Sequence, residues 1–149
     1  MSAALHLAKP EDLDRLCALV AAFHAESGIA LGDDARRAGL APLVDGIPHG
    51  AAYLIGPARA PIGYVVVSFG WSVEFGGLDA NLDEIFVRPA VRGRGIASEV
   101  LTTLPAALAG AGIRALHLEV DREDAAARGF YSRAGFLERP RSMLMSRRL

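Results

Sequence analysis

The chain has 149 residues, of which 52% are hydrophobic and 22% are charged. This apolar content is enough for a packed core and excludes a disordered chain, and the length predicts one domain over residues 1–149. The 16 basic and 17 acidic residues give a formal charge of −1. A general nucleic-acid-binding protein normally carries a clear basic excess, so we expect no nucleic-acid partner.

The single cysteine, Cys17, cannot form an internal disulfide and excludes cysteine-rich zinc modules, so no metal site is expected. It shares one helical face with Leu16 and Val20, which predicts a buried core thiol. The N-terminus has no basic segment followed by an apolar run, and no stretch offers the ~20 apolar residues of a membrane helix. We therefore expect a cytoplasmic protein without a membrane partner.

The predicted elements are, in chain order, a strand at 4–8, helices at about 10–26 and 33–46, strands at 51–55, 62–73 and 82–88, a helix at about 96–111, a strand at 114–120, a helix at 124–134 and a closing pair of strands within 136–147. Gly39 and Pro42 interrupt the second helix. Pro105 predicts a kink or an early break in the third, because an interior proline costs about 3 kcal/mol. Gly135 is placed just after the last helix. This order predicts a mixed sheet with helices on its faces, in the α/β or α+β class.

The most informative segment, residues 87–98, leaves a strand, turns through Gly93 and Gly95 and enters a helix. Amides at a helix N-terminus bind phosphate, and glycines let the backbone approach it closely. The candidate phosphate-binding residues are Arg92, Gly93, Arg94, Gly95, Ile96, Ala97 and Ser98. A Walker loop is excluded because it needs lysine, and the dinucleotide fingerprint needs a third glycine. An ordinary helix start without a ligand remains the alternative for this segment alone.

Two blocks of sequence resemble one family. Arg92-x-x-Gly95-x-Ala97 is similar to the acetyl-CoA pyrophosphate motif, Arg/Gln-x-x-Gly-x-Gly/Ala, of the GNAT superfamily of N-acetyltransferases. The stretch from Leu118 to Phe136 resembles that family's strand followed by Asn-x-x-Ala-x-x-Leu/Phe-Tyr-x-x-x-Gly-Phe. The resemblance implies a mixed, mostly antiparallel sheet of about 6–7 strands, splayed at the CoA site and flanked by about four helices. It also implies acetyl-CoA as the cosubstrate.

The resemblance implies roles for single residues. The backbone amides of Ile85, Phe86 and Val87 would bind the pantetheine arm and the thioester carbonyl, and oriented amides are usually a large contribution to acyl transfer. Tyr131 matches the tyrosine beside the CoA sulfur, which makes it the candidate general acid; the alternative is a packed helix tyrosine. Asp124 stands where the family has asparagine. Aspartate caps a helix equally well but adds a negative charge beside the CoA arm.

Two glutamates are candidates for the general base. Glu84 lies on the strand that enters the expected bulge. Glu119 lies where the ribosomal-protein alanine N-acetyltransferases, which this block resembles, use a glutamate. Strand alternation places Glu119 on one face with His117. Either carboxylate would equally suit a solvated strand position, and the base would act directly or through water.

Four acidic residues precede the loop without an intervening basic one: Glu74, Asp79, Asp83 and Glu84. They form either an acidic rim for a cationic amine or a solvated acidic loop. Phe69, Trp71 and Phe75 alternate in the same stretch, where they line an acceptor pocket or pack in a core or dimer face.

These features predict an acetyl-CoA-dependent N-acetyltransferase. It would acetylate a primary amine, on a small cationic molecule or a peptide or protein N-terminus, by direct attack in a ternary complex. The alternative is a catalytically silent CoA-binding sensor or interaction module, which only Asp124 favours. The sequence does not name the acceptor, and family analogy leaves a homodimer through the C-terminal strands open.

Overall fold

The computed structural model describes residues 3–149, which contain five strands and four α-helices. The strands are β1 (Leu5–Leu7), β2 (Gly50–Ile55), β3 (Gly63–Ser72), β4 (Gly77–Val87) and β5 (Ala115–His117). The helices are α1 (Leu13–Ser27), α2 (Asp33–Val44), α3 (Ile96–Gly110) and α4 (Ala125–Arg133). The chain divides into two compact units, one ending at Glu119 and the other spanning Val120–Leu149. The first unit holds the sheet and α1 to α3, and the second holds α4; the single domain stays a prediction.

The five strands form one sheet in the order β1-β2-β3-β4-β5. The first three pairings are antiparallel and the last, between β4 and β5, is parallel. The predicted mixed, mostly antiparallel sheet is therefore confirmed, with fewer strands than expected. No helix among residues 3–149 is long and apolar enough to cross a membrane.

The predicted closing strands within 136–147 are wrong, because the structure has no strand in that segment. Arg122 donates from its guanidinium to the backbone carbonyls of Pro140 and Ser142. Those carbonyls would otherwise be the acceptors of a strand ladder. Pro140 also has no amide to donate to a partner strand.

Helices α1 and α2 cover one face of the sheet. The buried cluster there comprises Leu16, Leu19 and Val20 of α1, Leu40 and Val44 of α2, and Ala52, Leu54, Tyr64 and Phe86 of the strands, with Ala8. Full burial of one such aliphatic side chain contributes about 1.5–3 kcal/mol. Helix α2 runs through Gly39 and Pro42 and α3 runs through Pro105, so the expected interruption of α2 and the early break of α3 are wrong, while a kink at Pro105 stays a prediction. The buried leucines flanking Pro105, Leu104 and Leu108, offset its cost.

Strand β4 carries one extra residue in its middle. Glu84 pairs with Val66, whereas Leu82 pairs with Val67, so Asp83 has no partner on β3. One inserted residue reverses the face on which the following side chains lie. The bulge thereby turns Glu84 towards the face that α1 and α2 cover.

Beyond the bulge, β4 has an open edge. The parallel pairing with β5 includes only Asp79, Ala80 and Asn81 of β4 and ends at His117. The predicted strand at 114–120 is therefore shorter than expected, and it stops where β4 bulges. This open edge corresponds to the splay implied by the family resemblance.

Candidate active site

The carboxylate of Glu84 is held by two side chains. The Tyr64 hydroxyl donates to Glu84 Oε1 at 2.7 Å, and His24 Nε2 lies 2.9 Å from Glu84 Oε2. Tyr64 is fully buried, whereas the Glu84 side chain keeps 22% of its surface exposed. Glu84 is thus an oriented carboxylate that solvent or a substrate can still reach.

The hydrogen bonds of His24 define which of its nitrogens carries the proton. Arg36 Nε donates to His24 Nδ1 at 3.3 Å. A guanidinium has donors and no acceptor, so Nδ1 must accept. This contact favours the tautomer with the ring proton on Nε2, the nitrogen that faces Glu84.

Arg36 is itself fixed by other contacts. Its guanidinium donates to Asp33 Oδ1 at 2.7 Å and to the Leu31 carbonyl at 2.5 Å, and only 8% of the residue is exposed. Every buried side-chain nitrogen and oxygen within residues 3–149 has a hydrogen-bond partner. The chain of contacts from α2 through α1 to β4 is therefore fully satisfied, as a buried polar network must be to avoid destabilising the fold.

Burial raises the pKa of the Tyr64 phenol far above its ordinary value, and the adjacent Glu84 carboxylate raises it further. The phenol consequently remains a hydrogen-bond donor over the whole working range of an enzyme. Tyr64 therefore holds Glu84 as a hydrogen-bond donor.

The glycine-rich turn has the geometry of an anion site. Gly93 and Gly95 have φ angles of 78° and 75°, in the left-handed region, and Gly95 is the N-cap of α3 without a side-chain cap. Added Cβ atoms at either glycine would meet no heavy atom within 4 Å, so the space above this backbone is open. The first-turn amides, which begin at Ile96, are the donors that such a helix start offers to a phosphate.

The guanidinium of Arg92 contacts β4 and α1. Its Nε donates to the Val87 carbonyl at 2.8 Å, and its Nη2 lies 2.9 and 2.8 Å from the two carboxylate oxygens of Glu26 on α1. The guanidinium also lies 5.4 Å from the centre of the Phe86 ring. Arg92 and Arg94 are both exposed residues.

The antiparallel ladder determines which β4 amides face the open edge. The Arg88 amide donates to the Ile62 carbonyl at 2.8 Å. Because facing groups alternate along an antiparallel pair, the Phe86 amide is directed at β3, and those of Ile85 and Val87 point to the open edge. The hydrogen bond from Arg92 Nε to the Val87 carbonyl agrees with that direction.

The second candidate base, Glu119, has a different environment. It is exposed and follows the end of β5. On β5 itself, His117 Nε2 lies 3.1 Å from Asp79 Oδ2, and the Phe75 ring stands 5.5 Å from the imidazole. Trp71 is 71% exposed, which rules out a core position for it. Residues 3–149 contain no cluster of three or more potential metal ligands.

In the second unit, Asp124 and Tyr131 both lie on α4 or at its start. Asp124 Oδ1 accepts from the Ala127 amide at 3.0 Å, which confirms the predicted helix cap. Burial raises the pKa of the Tyr131 phenol, and the charge of Asp124 raises it further. Gly135 follows the helix with a φ of 97°, as predicted.

Sequence reasoning missed three members of the Glu84 network: His24, Arg36 and Tyr64. A signal for two of them was present. His24 continues the Leu16–Val20 stripe at a spacing of four residues, and Arg36 begins the equivalent stripe with Leu40 on α2. A polar residue within an apolar stripe indicates a buried group with a partner.

Comparisons with known proteins agree with this architecture. The model of the acetyltransferase (GNAT) family matches residues 41–136. An integron cassette protein from the mobile metagenome of Cole Harbour Salt Marsh is 34% identical, with a TM-score of 0.83 over 96% of this chain and 89% of that one. A putative acetyltransferase from Arthrobacter sp. FB24 is 31% identical, with a TM-score of 0.80 over 98% and 95% of the two chains. An aminoglycoside N-acetyltransferase in complex with CoA shares the fold, with 18% identity and a TM-score of 0.78 over 100% and 98%.

The open β4 edge and the glycine-rich helix start, together with these matches, define an acyltransferase. The family match covers more than half of the chain. The protein belongs to the acetyltransferase (GNAT) family.

Proposed function

We propose that this protein transfers the acetyl group of acetyl-CoA to a primary amine, on a small cationic molecule or at a peptide N-terminus. The observation that carries the proposal is the Glu84 carboxylate, held by Tyr64 and His24 and still partly exposed. An amine acceptor arrives as an ammonium ion, so its acetylation needs a base, and an oriented carboxylate provides one.

The chain supplies backbone donors for the acetyl-CoA cosubstrate. The loop from Arg92 to Ser98 would hold the pyrophosphate through its amides, with Arg94 as an exposed charged donor. The amides of Ile85 and Val87 would receive the pantetheine arm and polarise the thioester carbonyl. The Phe86 amide, which is directed at β3, is not one of these donors, and its ring is buried beneath Arg92.

The reaction needs three proton transfers. Glu84 takes a proton from the ammonium, directly or through water, and the amine nitrogen then attacks the thioester carbon. As the C–S bond breaks, Tyr131 gives its phenolic proton to the leaving thiolate. The nitrogen, now bonded to the acetyl carbon, loses its second proton to the Tyr131 phenolate, directly or through water, which leaves the neutral amide and restores the phenol. The phenol has an ordinary pKa of about 10, so it holds a proton at neutral pH and can donate it when the thiolate forms.

Between the two candidate bases, Glu84 is favoured over Glu119. Two hydrogen bonds fix the position of Glu84 before a substrate arrives, whereas Glu119 is an exposed residue beyond a strand end. Preorganised groups avoid the loss of side-chain freedom during the reaction.

The proposal of a cationic acceptor is supported by charge near Glu84. Asp83 is exposed at the bulge beside it, and Asp79 lies further along β4. Acidic groups attract an ammonium over the distance of the Debye length, about 8 Å at physiological salt. A neighbour that shares this fold is named an aminoglycoside N-acetyltransferase, and aminoglycosides are cationic amines.

The test is release of CoA thiol from acetyl-CoA across a panel of amines: aminoglycosides, polyamines, amino acids and peptides. We expect release that depends on one class of cationic amine, with an acetylated product detected by mass. The only cysteine, Cys17, has a thiol pKa raised by burial and should react weakly with the thiol reagent. CoA binding without release for any amine would instead support the silent sensor, and release without amine would refute amine transfer.

A further inference from the structure

Two buried polar residues of the helices have no direct part in the chemistry above. His24 is 5% exposed on α1 and Arg36 is 8% exposed on α2, and they are the buried polar residues of the described chain. Burial of a guanidinium is unfavourable unless its donors are satisfied, which indicates a specific task for Arg36.

The contacts of Arg36 select one tautomer of the His24 imidazole. Its Nε donates to His24 Nδ1, while Asp33 and the Leu31 carbonyl occupy its other donors. Arg36 cannot accept, so a proton on His24 Nδ1 would place two donors face to face. The opposite nitrogen must then carry the proton and present it to Glu84.

We propose that Arg36 and His24 are positioning residues for Glu84: Arg36 fixes the tautomer of His24, and His24 in turn aligns the carboxylate as the base. This inference rests on the proposed function. The groups around Arg36 and His24 are Asp33 from α2, Glu84 from β4 and Tyr64 from β3, with the Phe23 ring 6.0 Å from the imidazole.

The consequence concerns the orientation of one carboxylate oxygen. Tyr64 fixes Oε1 of Glu84, and His24 fixes Oε2, so the plane of the carboxylate is determined by both. If the imidazole adopted the other tautomer, Nε2 would become an acceptor facing an anionic oxygen. The carboxylate would then rotate or take up water, and the proton transfer would lose its alignment.

The direct test is ¹⁵N–¹H correlation spectroscopy of the His24 imidazole in the 149-residue chain at pH about 8, where a free imidazole is neutral. The wild type should show the proton on Nε2 alone. Arg36→Met keeps much of the side-chain length and removes the donor to Nδ1. It should add a signal from the Nδ1-protonated tautomer to a dominant Nε2 signal, because Glu84 still favours a donor at Nε2. The control is Arg37→Met, which deletes the neighbouring ion pair with Asp14 and should leave the tautomer unchanged.

Kinetics provide the second readout. Arg36→Met should lower kcat about 10- to 100-fold, the effect of one hydrogen bond to a charged group, with the KM for acetyl-CoA little changed. His24→Gln, whose amide can donate to Glu84 and accept from Arg36, should retain more activity than His24→Ala. Equal activity of these two variants would overturn the proposal that His24 positions Glu84.

The two proposals can fail separately. If His24 of the wild type carried its proton on Nδ1, the proposal that Arg36 and His24 position Glu84 would be wrong even in an active enzyme. This measurement uses the wild type and so does not depend on the folding of any variant. Absence of acetyl transfer to every amine would overturn the proposed function while leaving the tautomer measurement intact.

Discussion

The hydrogen bond between Tyr64 and Glu84 gives a prediction that the structure makes quantitative. Tyr64→Phe removes one hydroxyl from a side chain that is fully buried, and the donor–acceptor distance it deletes is 2.7 Å. The edge contact with Phe23 and the tilted contact with Phe86 remain, so the substitution adds little cavity volume. A hydrogen bond to a charged group contributes about 1.5–3 kcal/mol.

Partial exposure of Glu84 places the expected effect at the lower end of that range. Because 22% of the Glu84 side chain is exposed, water can replace part of the lost donor. We expect the free energy of unfolding to fall by about 1.5–2 kcal/mol, which lowers Tm by about 3–8 °C for a chain of this length. Urea titration and calorimetry measure both quantities.

The matched control is Tyr53→Phe. Tyr53 lies on β2 and is half-buried, and its hydroxyl makes no hydrogen bond within residues 3–149. Its loss should change the free energy of unfolding by less than about 0.5 kcal/mol. If Tyr64→Phe were no more destabilising than this control, the claim that Tyr64 holds Glu84 would be wrong.

Other predictions concern the loop, the helix cap and the tyrosines. Tyr131→Phe should lower kcat far more than it raises the KM for acetyl-CoA; unchanged turnover would remove Tyr131 as the acid. Gly95→Ala, strained at a φ of 75°, should cost about 1–2 kcal/mol and raise the KM for acetyl-CoA, while the control Gly110→Ala in α3 should do neither. Asp124→Asn should leave the free energy of unfolding unchanged and lower the KM for acetyl-CoA, because it removes a negative charge and keeps the helix cap. Asp124→Ala should lower the free energy of unfolding by about 0.5–2 kcal/mol, measured by chemical denaturation. Because Tyr64 and Tyr131 keep their protons longer in the folded than the unfolded chain, stability should fall as pH rises above about 10, with a smaller slope in Tyr64→Phe.

Local sequence signals predicted the parts of this site that depend on neighbouring residues. The left-handed turn at Gly95 needs a glycine, and a glycine N-cap leaves the first-turn amides of α3 without a side-chain cap, so the candidate anion site depends on only a few neighbouring positions. The cap at Asp124 and the helix end at Gly135 are local for the same reason.

The network around Glu84 depends on contacts that no local pattern contains. His24 and Glu84 are 60 positions apart, and their approach requires both the packing of α1 on the sheet and the bulge at Asp83. A polar residue in an apolar stripe signals burial but not its partner. The segment at 136–147 was mispredicted because Arg122 takes backbone carbonyls that strand propensity assigns to a ladder.

The measurement that bears most directly on the central claim compares Glu84→Gln with Glu119→Gln. Glutamine at position 84 preserves the shape of the glutamate side chain. Its amide oxygen can accept from His24, and its NH₂ group can donate to the Tyr64 hydroxyl, because a hydroxyl both donates and accepts. We predict that kcat falls about 10²- to 10⁴-fold in Glu84→Gln, with acetyl-CoA binding retained, while Glu119→Gln stays close to wild type. Full turnover in Glu84→Gln, or a loss confined to Glu119→Gln, would contradict Glu84 as the general base.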